Sequence, residues 1–319
     1  MYTIGFPISH KENENRRAIT PEHIRFLSHP DQLYFEEGYG RVLGIPDAEY
    51  QKLGCHICSR AETLRQDVIC DPKIGDAEYL ADLTEGQTIF GWVHATQNRD
   101  ITDHIVNNKL TAYAWENMFD QGRHVFWRNN ELAGEAAVMH AFQCWGRMPY
   151  ECRVAVIGRG NTARGAIKVL NMLGADVVQY DRRSEALLRS EIGMYDVIVN
   201  CILWDVNRKD HVISLEDLRR MKPGSMIVDV SCDRHGGIES CVPTTIEAPT
   251  YYAEGILHYA VDHTPSLYYK TFTSNNSNVL YPYIEELILG VPGKVLQDSL
   301  IIERGIIVDQ QINIYQNRI

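Results

Sequence analysis

Two short stretches carry residue types that could do chemistry. At 88–96 the chain reads TIFGWVHAT, with His94 near the end of what is otherwise an apolar strand. At 158–163 it reads GRGNTA, directly after the apolar run RVAVI. A histidine at a strand end is either a hydrogen-bonded structural residue or a group that exchanges protons. The carboxyl end of a parallel strand borders the crevice where α/β sheets bind ligands, and imidazole titrates near neutrality, so this position suits acid–base work.

Gly158, Gly160 and Ala163 form G-x-G-x-x-A between a strand and a helix. The first glycine permits the tight turn, the second lets the backbone approach a pyrophosphate, and Ala163 keeps the helix close to the sheet. Amides at the helix N-terminus, those of Asn161 and Thr162, would then hold the phosphates. Asp181 ends the following strand, where a carboxylate bonds the ribose 2′-hydroxyl of NAD, yet Arg182 and Arg183 come next and suit the extra phosphate of NADP. Both cofactors stay open. A ligand-free connection is the alternative, and the complete strand–turn–helix–strand context argues against it.

Lys73 follows the apolar run VIC in VICDPK and precedes Gly75. It is either a solvated loop lysine or an amine whose burial beside another cation lowers its pKa.

These residues need elements to position them. The first half alternates short apolar runs with helical segments (TPEHIRFLS, DAEYQKLG, SRAETLRQ, DAEYLADL), a βα rhythm that implies a largely parallel sheet. Thr20 before Pro21 predicts a helix start near 21, and Ser59 with Glu62 predicts a capping box. Residues 130–148 predict a long helix leading from one domain into the next and stopping at Gly146. A βαβ unit follows, then further strands DVIVNCI and SMIVDV around the capped helix SLEDLRRM, with a turn at KPG. The last long helical stretch, SLYYKTFTSNNSNVLYPYIEELIL, is expected to return to the first domain. The fold class is α/β: two Rossmann-like domains with parallel sheets and the active site in the cleft between them. A discontinuous substrate domain is expected at 1–133 and 268–319, and a dinucleotide-binding domain at 134–267.

Composition excludes several classes. Apolar residues at 45% and charged residues at 23% fit a globular protein. A net charge of −11 opposes binding to nucleic acid or to an anionic membrane. Neither a basic-then-apolar leader nor a spanning apolar run is visible, which predicts a cytoplasmic protein. The eight cysteines are scattered and are expected as free thiols; Cys55 and Cys58 form a C-x-x-C, but no second pair stands at zinc-ligand spacing and no metal is expected.

Residues 5–21, GFPISHKENENRRAITP, resemble the opening of the alanine dehydrogenase and transhydrogenase family, and VICDPK, TEGQTIFGWVH, NELAGEAAV, VIGRGNTARGA, IVDVSCD and DHTPS follow in that family's order. FEEGYG, GWVH and TPSLYY are most similar to its short opine-forming branch, the N5-(carboxyethyl)ornithine synthases. The resemblance implies a homo-oligomeric, NADPH-dependent reductase that condenses pyruvate with the side-chain amine of ornithine or lysine. It implies that Arg16, rather than its neighbour Arg17, holds the substrate carboxylate, that Lys73 lies near the reacting carbon, and that His94 exchanges a proton there. Asp233, in VSCDRHGG, is implied beside nicotinamide and substrate, with one extra residue before the glycines.

Two other functions fit the same residues. An alanine dehydrogenase or saccharopine-type enzyme would share Arg16, Lys73 and His94, and a dinucleotide sensor without turnover would keep the fold alone. Nothing local marks a pocket for the amino-acid co-substrate. Trp92, Trp115, Glu116 and Tyr268 are candidates, with packing as the alternative role of each.

Overall fold

The apolar runs of the first half become strands β1 (Ile4–Phe6), β2 (Leu33–Glu36), β3 (His56–Cys58), β4 (Val68–Cys70), β5 (Thr88–Gly91) and β6 (Thr111–Ala114) in a computed structural model that describes residues 1–205 and 208–318. They pair in parallel in the order β3-β2-β1-β4-β5-β6. A hairpin, β7 (Phe119–Asp120) and β8 (Arg123–His124), follows β6, and near the C-terminus β15 (Leu300–Glu303) and β16 (Ile306–Ile307) extend the sheet antiparallel beyond β6. Strands such as β4 are buried on both faces, which is why VIC reads as a continuous apolar run without alternation. Ile69, Ile89, Leu110, Ala112 and Ile302 fill one layer, and Phe6 stacks on Phe35 at 4.6 Å in another part of the core.

Pairing radiates from β1: the chain adds β2 and β3 on one side and β4 to β6 on the other. Such a reversal opens a crevice outside the carboxyl ends of the two central strands, here β1 and β4.

A second sheet holds β9 (Arg153–Ile157), β10 (Asp176–Tyr180), β11 (Val197–Asn200), β12 (Met226–Asp229), β13 (Thr250–Ala253) and β14 (Ile256–Tyr259) in the order β10-β9-β11-β12-β14-β13. All pairs are parallel except β13 with β14. Its reversal lies between β9 and β11. The helices Trp127–Trp145 and Asn161–Met172 cover one face, with Ala137, Ala141, Ala166 and Leu170 against Val154, Val156, Val199 and Val228; each buried valine there contributes roughly 1.5 kcal/mol or more.

The chain divides into Met1–Phe126 with Tyr269–Ile319, and Trp127–Tyr268. The first break therefore falls at 126/127 and not at 133/134, because residues 127–145 form one uninterrupted helix that packs on Asn161–Met172. The helix stops at Gly146, whose φ is 75°.

Both sheets are largely parallel, as expected, each with an antiparallel edge. Two local expectations are corrected. DAEYLADL is not an α-helix but two short 3-10 turns, Ile74–Asp76 and Leu80–Asp82, because its polar side chains are pulled away: Asp76 to Lys73 and Lys11, Glu78 to Arg60, and the Tyr79 hydroxyl to Asp71. Thr20 precedes a helix that does begin at Pro21, but its hydroxyl pairs with Ser277 at 3.2 Å and caps nothing. The Ser59–Glu62 capping box is formed as expected.

Candidate active site

Three of the residues singled out above follow adjacent strands: Arg16 lies beyond β1, Lys73 beyond β4, and His94 beyond β5. The loop after β1 is pinned at its start by Glu36, which accepts the Ile8 N–H at 2.7 Å and pairs with Arg60. Its later part, residues 16–20, is laced to the helix Tyr269–Leu289. Thr273 accepts the Arg17 N–H, Ser277 accepts the Thr20 N–H, and the Asn276 amide donates to the Ala18 carbonyl, at 2.9–3.0 Å. Those three helical residues are buried polar groups on one stripe, and the extended loop gives each of them a partner, with Asn276 Oδ1 left unpaired among the described residues.

Arg16 and Arg17 are both buried and do different things. Arg17 is spent on backbone carbonyls, Nε on Tyr39 at 2.6 Å and Nη1 on Arg16 at 2.8 Å. Arg16 offers Nε and Nη2 to the two oxygens of Glu14 at 2.8 and 2.5 Å, with its guanidinium 4.9 Å from the Phe272 ring centre. Burial would raise the Glu14 carboxyl, but Arg16 and then Lys73 hold it below its ordinary value. The Nη1 edge of Arg16 makes no hydrogen bond among the described residues, so one side of the fork remains for a second carboxylate.

Lys73 is buried, its ammonium 2.6 Å from Asp76, which also takes Lys11 at 3.1 Å. Burial lowers the Lys73 pKa, Asp76 opposes this, and Lys11 and Arg16 add to it. For Asp76 burial acts upward, yet the two lysines hold it down to about 2. Asp71 bonds the Lys73 N–H at 2.8 Å and the Tyr79 hydroxyl at 2.6 Å, and burial pushes it up to about 6.

His94 is half-buried and sits in the left-handed region, φ 53°. Glu116, just beyond β6, accepts both the His94 and Val93 N–H groups. The imidazole lies nearly parallel to Trp92, centroids 6.3 Å apart, and makes no hydrogen bond among the described residues. Burial lowers its pKa; Glu116 and Asp76 oppose, Lys73 and Lys11 reinforce. The loops of Lys73 and His94 touch through Gly75, where a Cβ would stand 2.0 Å from the Val93 carbonyl oxygen. Arg16, Lys73 and His94 thus form one electrostatically coupled set.

The glycine turn is built as its motif requires. Gly158 has φ 124°, and its Cβ would meet the Cys201 carbonyl at 3.0 Å. A Cβ at Gly160 would meet nothing within 4 Å, and no side chain caps the helix Asn161–Met172, so the amides of Asn161, Thr162 and Ala163 face an open cradle fit for phosphate. At the end of β10 Asp181 is already engaged: Arg183 N–H donates at 2.9 Å to one oxygen and Arg159 pairs at 2.9 Å with the other. Those bonds, the Arg183 N–H first, hold its carboxyl below the ordinary value. The Arg182 and Arg183 side chains are exposed.

Asp233 follows β12 in a loop containing left-handed Cys232 and His235, and it shares its surroundings with buried Asp229. Asp229 accepts from the Asn200 amide at 2.9 Å and from the Ser231 and Cys232 N–H groups. Burial, then the Asp229 charge, pushes Asp233 up to about 7. Asp233 belongs to the carboxyl edge of the second sheet, after a strand two places from the one that leads into the glycine turn, whereas Arg16, Lys73 and His94 belong to the first sheet. Tyr268 bonds the Met139 sulfur and is not part of the His94 group.

The sequence reading missed Glu14, Asp71, Asp76, Arg159 and Asp229. Asp229 alone had a local signal, an acid closing the strand MIVD. Among the described residues no cluster of acidic, histidine or cysteine side chains could hold a metal, all eight cysteines are free, and no helix is long and apolar enough to cross a membrane.

Residues 5–127 match the family described as Alanine dehydrogenase/PNT, N-terminal domain, and residues 182–316 match Alanine dehydrogenase/PNT, C-terminal domain. The chain is 32% identical over 284 residues to the N(5)-(carboxyethyl)ornithine synthase of Clostridium botulinum, covering 84% of this chain and 89% of that one. It is 30% identical over 294 residues to the enzyme of the same name from Lactococcus lactis, with 87% and 93% covered. A solved L-alanine dehydrogenase shares the fold at TM-score 0.83 over 99% of both chains, with 21% identity.

Proposed function

The chain belongs to the alanine dehydrogenase/PNT family, and from that premise we propose that it reductively condenses a 2-keto acid such as pyruvate with the side-chain amine of ornithine or lysine, giving an N-(carboxyethyl) amino acid. The observation that carries this reading is the convergence of Arg16, Lys73 and His94 at the carboxyl ends of three adjacent strands, with one edge of the Arg16 fork unspent.

Arg16 holds the keto-acid carboxylate, and Glu14 fixes the guanidinium so that the acid is oriented before reaction. Lys73, with its lowered pKa, lies against the keto oxygen. His94 protonates the hydroxyl that leaves as water when the amine adds, and keeps a proton on the imine nitrogen, which makes the carbon a better hydride acceptor. Asp233, carried to about 7, would serve as a second proton-holding group beside a bound nicotinamide.

The Gly158–Ala163 cradle holds the dinucleotide, which when bound supplies the hydride to the imine carbon. We assign NADP(H): both Asp181 oxygens are committed to Arg159 and the Arg183 N–H, and the exposed Arg182 and Arg183 side chains suit a 2′-phosphate.

The test is NADPH consumption by the purified protein with pyruvate and a panel of amino acids and ammonia. Fastest turnover with ornithine or lysine is expected. Turnover with ammonia alone would make it an alanine dehydrogenase, and no turnover with any amine would reject the enzyme reading.

A further inference from the structure

Along the carboxyl edge of the first sheet the order is Arg16 after β1, Lys73 after β4, His94 after β5, then Trp115 and Glu116 after β6, with the β7–β8 hairpin carrying His124. The keto acid assigned to Arg16 therefore lies on one side of His94. On its other side stands a cluster of rings. Trp92 stacks on His124 at 5.7 Å and meets Trp115 edge-on at 6.0 Å, and Phe126 stacks on Trp115 at 4.8 Å.

That cluster is buried, and it leaves three polar atoms without a partner among the described residues: Trp92 Nε1, Trp115 Nε1 and His124 Nδ1. Buried donors and acceptors are rarely left this way, and three in one set of touching side chains ask for a polar guest. Their chemistry is specific. Each indole N–H only donates. His124 places Nε2 at 3.0 Å from the Trp115 carbonyl oxygen, so Nε2 carries the proton and Nδ1 presents a lone pair. Burial lowers the His124 pKa, opposed first by the Trp115 carbonyl and then by Glu116 and the Phe126 backbone. Two donors and one acceptor match an amino-acid head group: the indoles face a carboxylate, the imidazole lone pair an ammonium.

We propose that Trp92, Trp115 and His124 form the subsite that receives the α-carboxylate and α-ammonium of the amino-acid co-substrate, on the side of His94 away from Arg16. This rests on the reading above, and it places His94 between the two partners of the condensation.

The experiment compares wild type, Trp92→Phe and His124→Gln with pyruvate, NADPH and either L-ornithine or 1,4-diaminobutane, a diamine without a carboxylate. Trp92→Phe keeps the ring and deletes the donor, whereas His124→Gln keeps a donor toward Trp115 and deletes the Nδ1 lone pair. Each is expected to raise the KM for ornithine about tenfold or more, the worth of one hydrogen bond to a charged group. The KM for pyruvate should stay within about twofold, and Trp92→Phe should leave the KM for diaminobutane unchanged. NADPH binding by fluorescence checks that each variant is folded. Wild-type turnover with an ornithine KM unmoved in both variants overturns the subsite alone and leaves a buried water as the guest. Equal rises for pyruvate and ornithine also overturn it. Absence of wild-type turnover overturns the underlying reading together with it.

Discussion

Glu116 holds His94 by its backbone and leaves the ring unheld: the carboxylate accepts the His94 N–H at 2.5 Å and the Val93 N–H at 3.2 Å. A non-glycine residue in the left-handed region costs about 1–3 kcal/mol, and this clamp offsets part of that cost. The same charge favours the imidazolium that burial disfavours. Position and protonation of this imidazole thus depend on one carboxylate.

Glu116→Gln is therefore expected to cut reductive turnover by about tenfold or more with little change in the KM for pyruvate, whose carboxylate is assigned in the proposal to Arg16. The two N–H groups go to different carboxylate oxygens, so a glutamine in the same pose turns its NH2 toward one of them and loses that bond. The pH profile gives the sharper reading. Reduction needs a protonated donor, so the rate falls as pH rises through the His94 pKa. Removing the negative charge lowers that pKa, and the fall should move to lower pH. A fall that stays in place would mean that His94 is not the titrating group.

Arg16→Lys keeps a charge and loses the fork. The lysine can face Glu14 or the substrate carboxylate but not both, so the KM for the keto acid should rise by about tenfold or more with a modest loss of thermal stability. Arg16→Met strands Glu14 in a buried site and should destabilise the protein by roughly 3–5 kcal/mol, measured by denaturant unfolding. Arg17→Lys should reduce stability without a selective effect on the keto-acid KM, since its guanidinium serves backbone carbonyls.

The proposed preference for NADP(H) rests on Arg182 and Arg183. Replacing both with serine should weaken NADPH about tenfold or more and leave NADH nearly unchanged, measured by fluorescence titration. Equal weakening of both cofactors would remove these side chains from 2′-phosphate recognition.

Asp233 titrates near neutrality because burial and the Asp229 charge both favour its neutral form. Asp229→Asn removes the neighbouring charge and can still accept from the Ser231 and Cys232 amides. The Asp233 pKa should fall below about 7, read directly by carbon NMR of the labelled carboxyl; an unmoved value would contradict the coupling.

Much of this architecture was legible because it rests on local backbone demands. Gly158 and Gly146 stand where positive φ is needed, and Ser59 with Glu62 closes a box within one turn. The missing parts are long-range. Thr273, Asn276 and Ser277 read as ordinary helix residues, and only folding brings them against a loop some 256–258 residues away in sequence. Nothing in NENRR says that Glu14 is buried with Arg16 while Arg17 turns to carbonyls. The strands β15 and β16 exist through antiparallel pairing that begins on β6, and no periodicity in so short a run announces it. Asp181 was ambiguous in sequence because its engagement depends on Arg159, inside the glycine turn.

The most direct test of the central claim is mass spectrometry of the product formed from pyruvate, L-ornithine and NADPH deuterated at the transferable position. The account predicts an N-(carboxyethyl)ornithine carrying one deuterium at the former keto carbon, absent from a His94→Ala variant that still binds NADPH. Deuterated alanine from added ammonia, with no ornithine adduct, would contradict it.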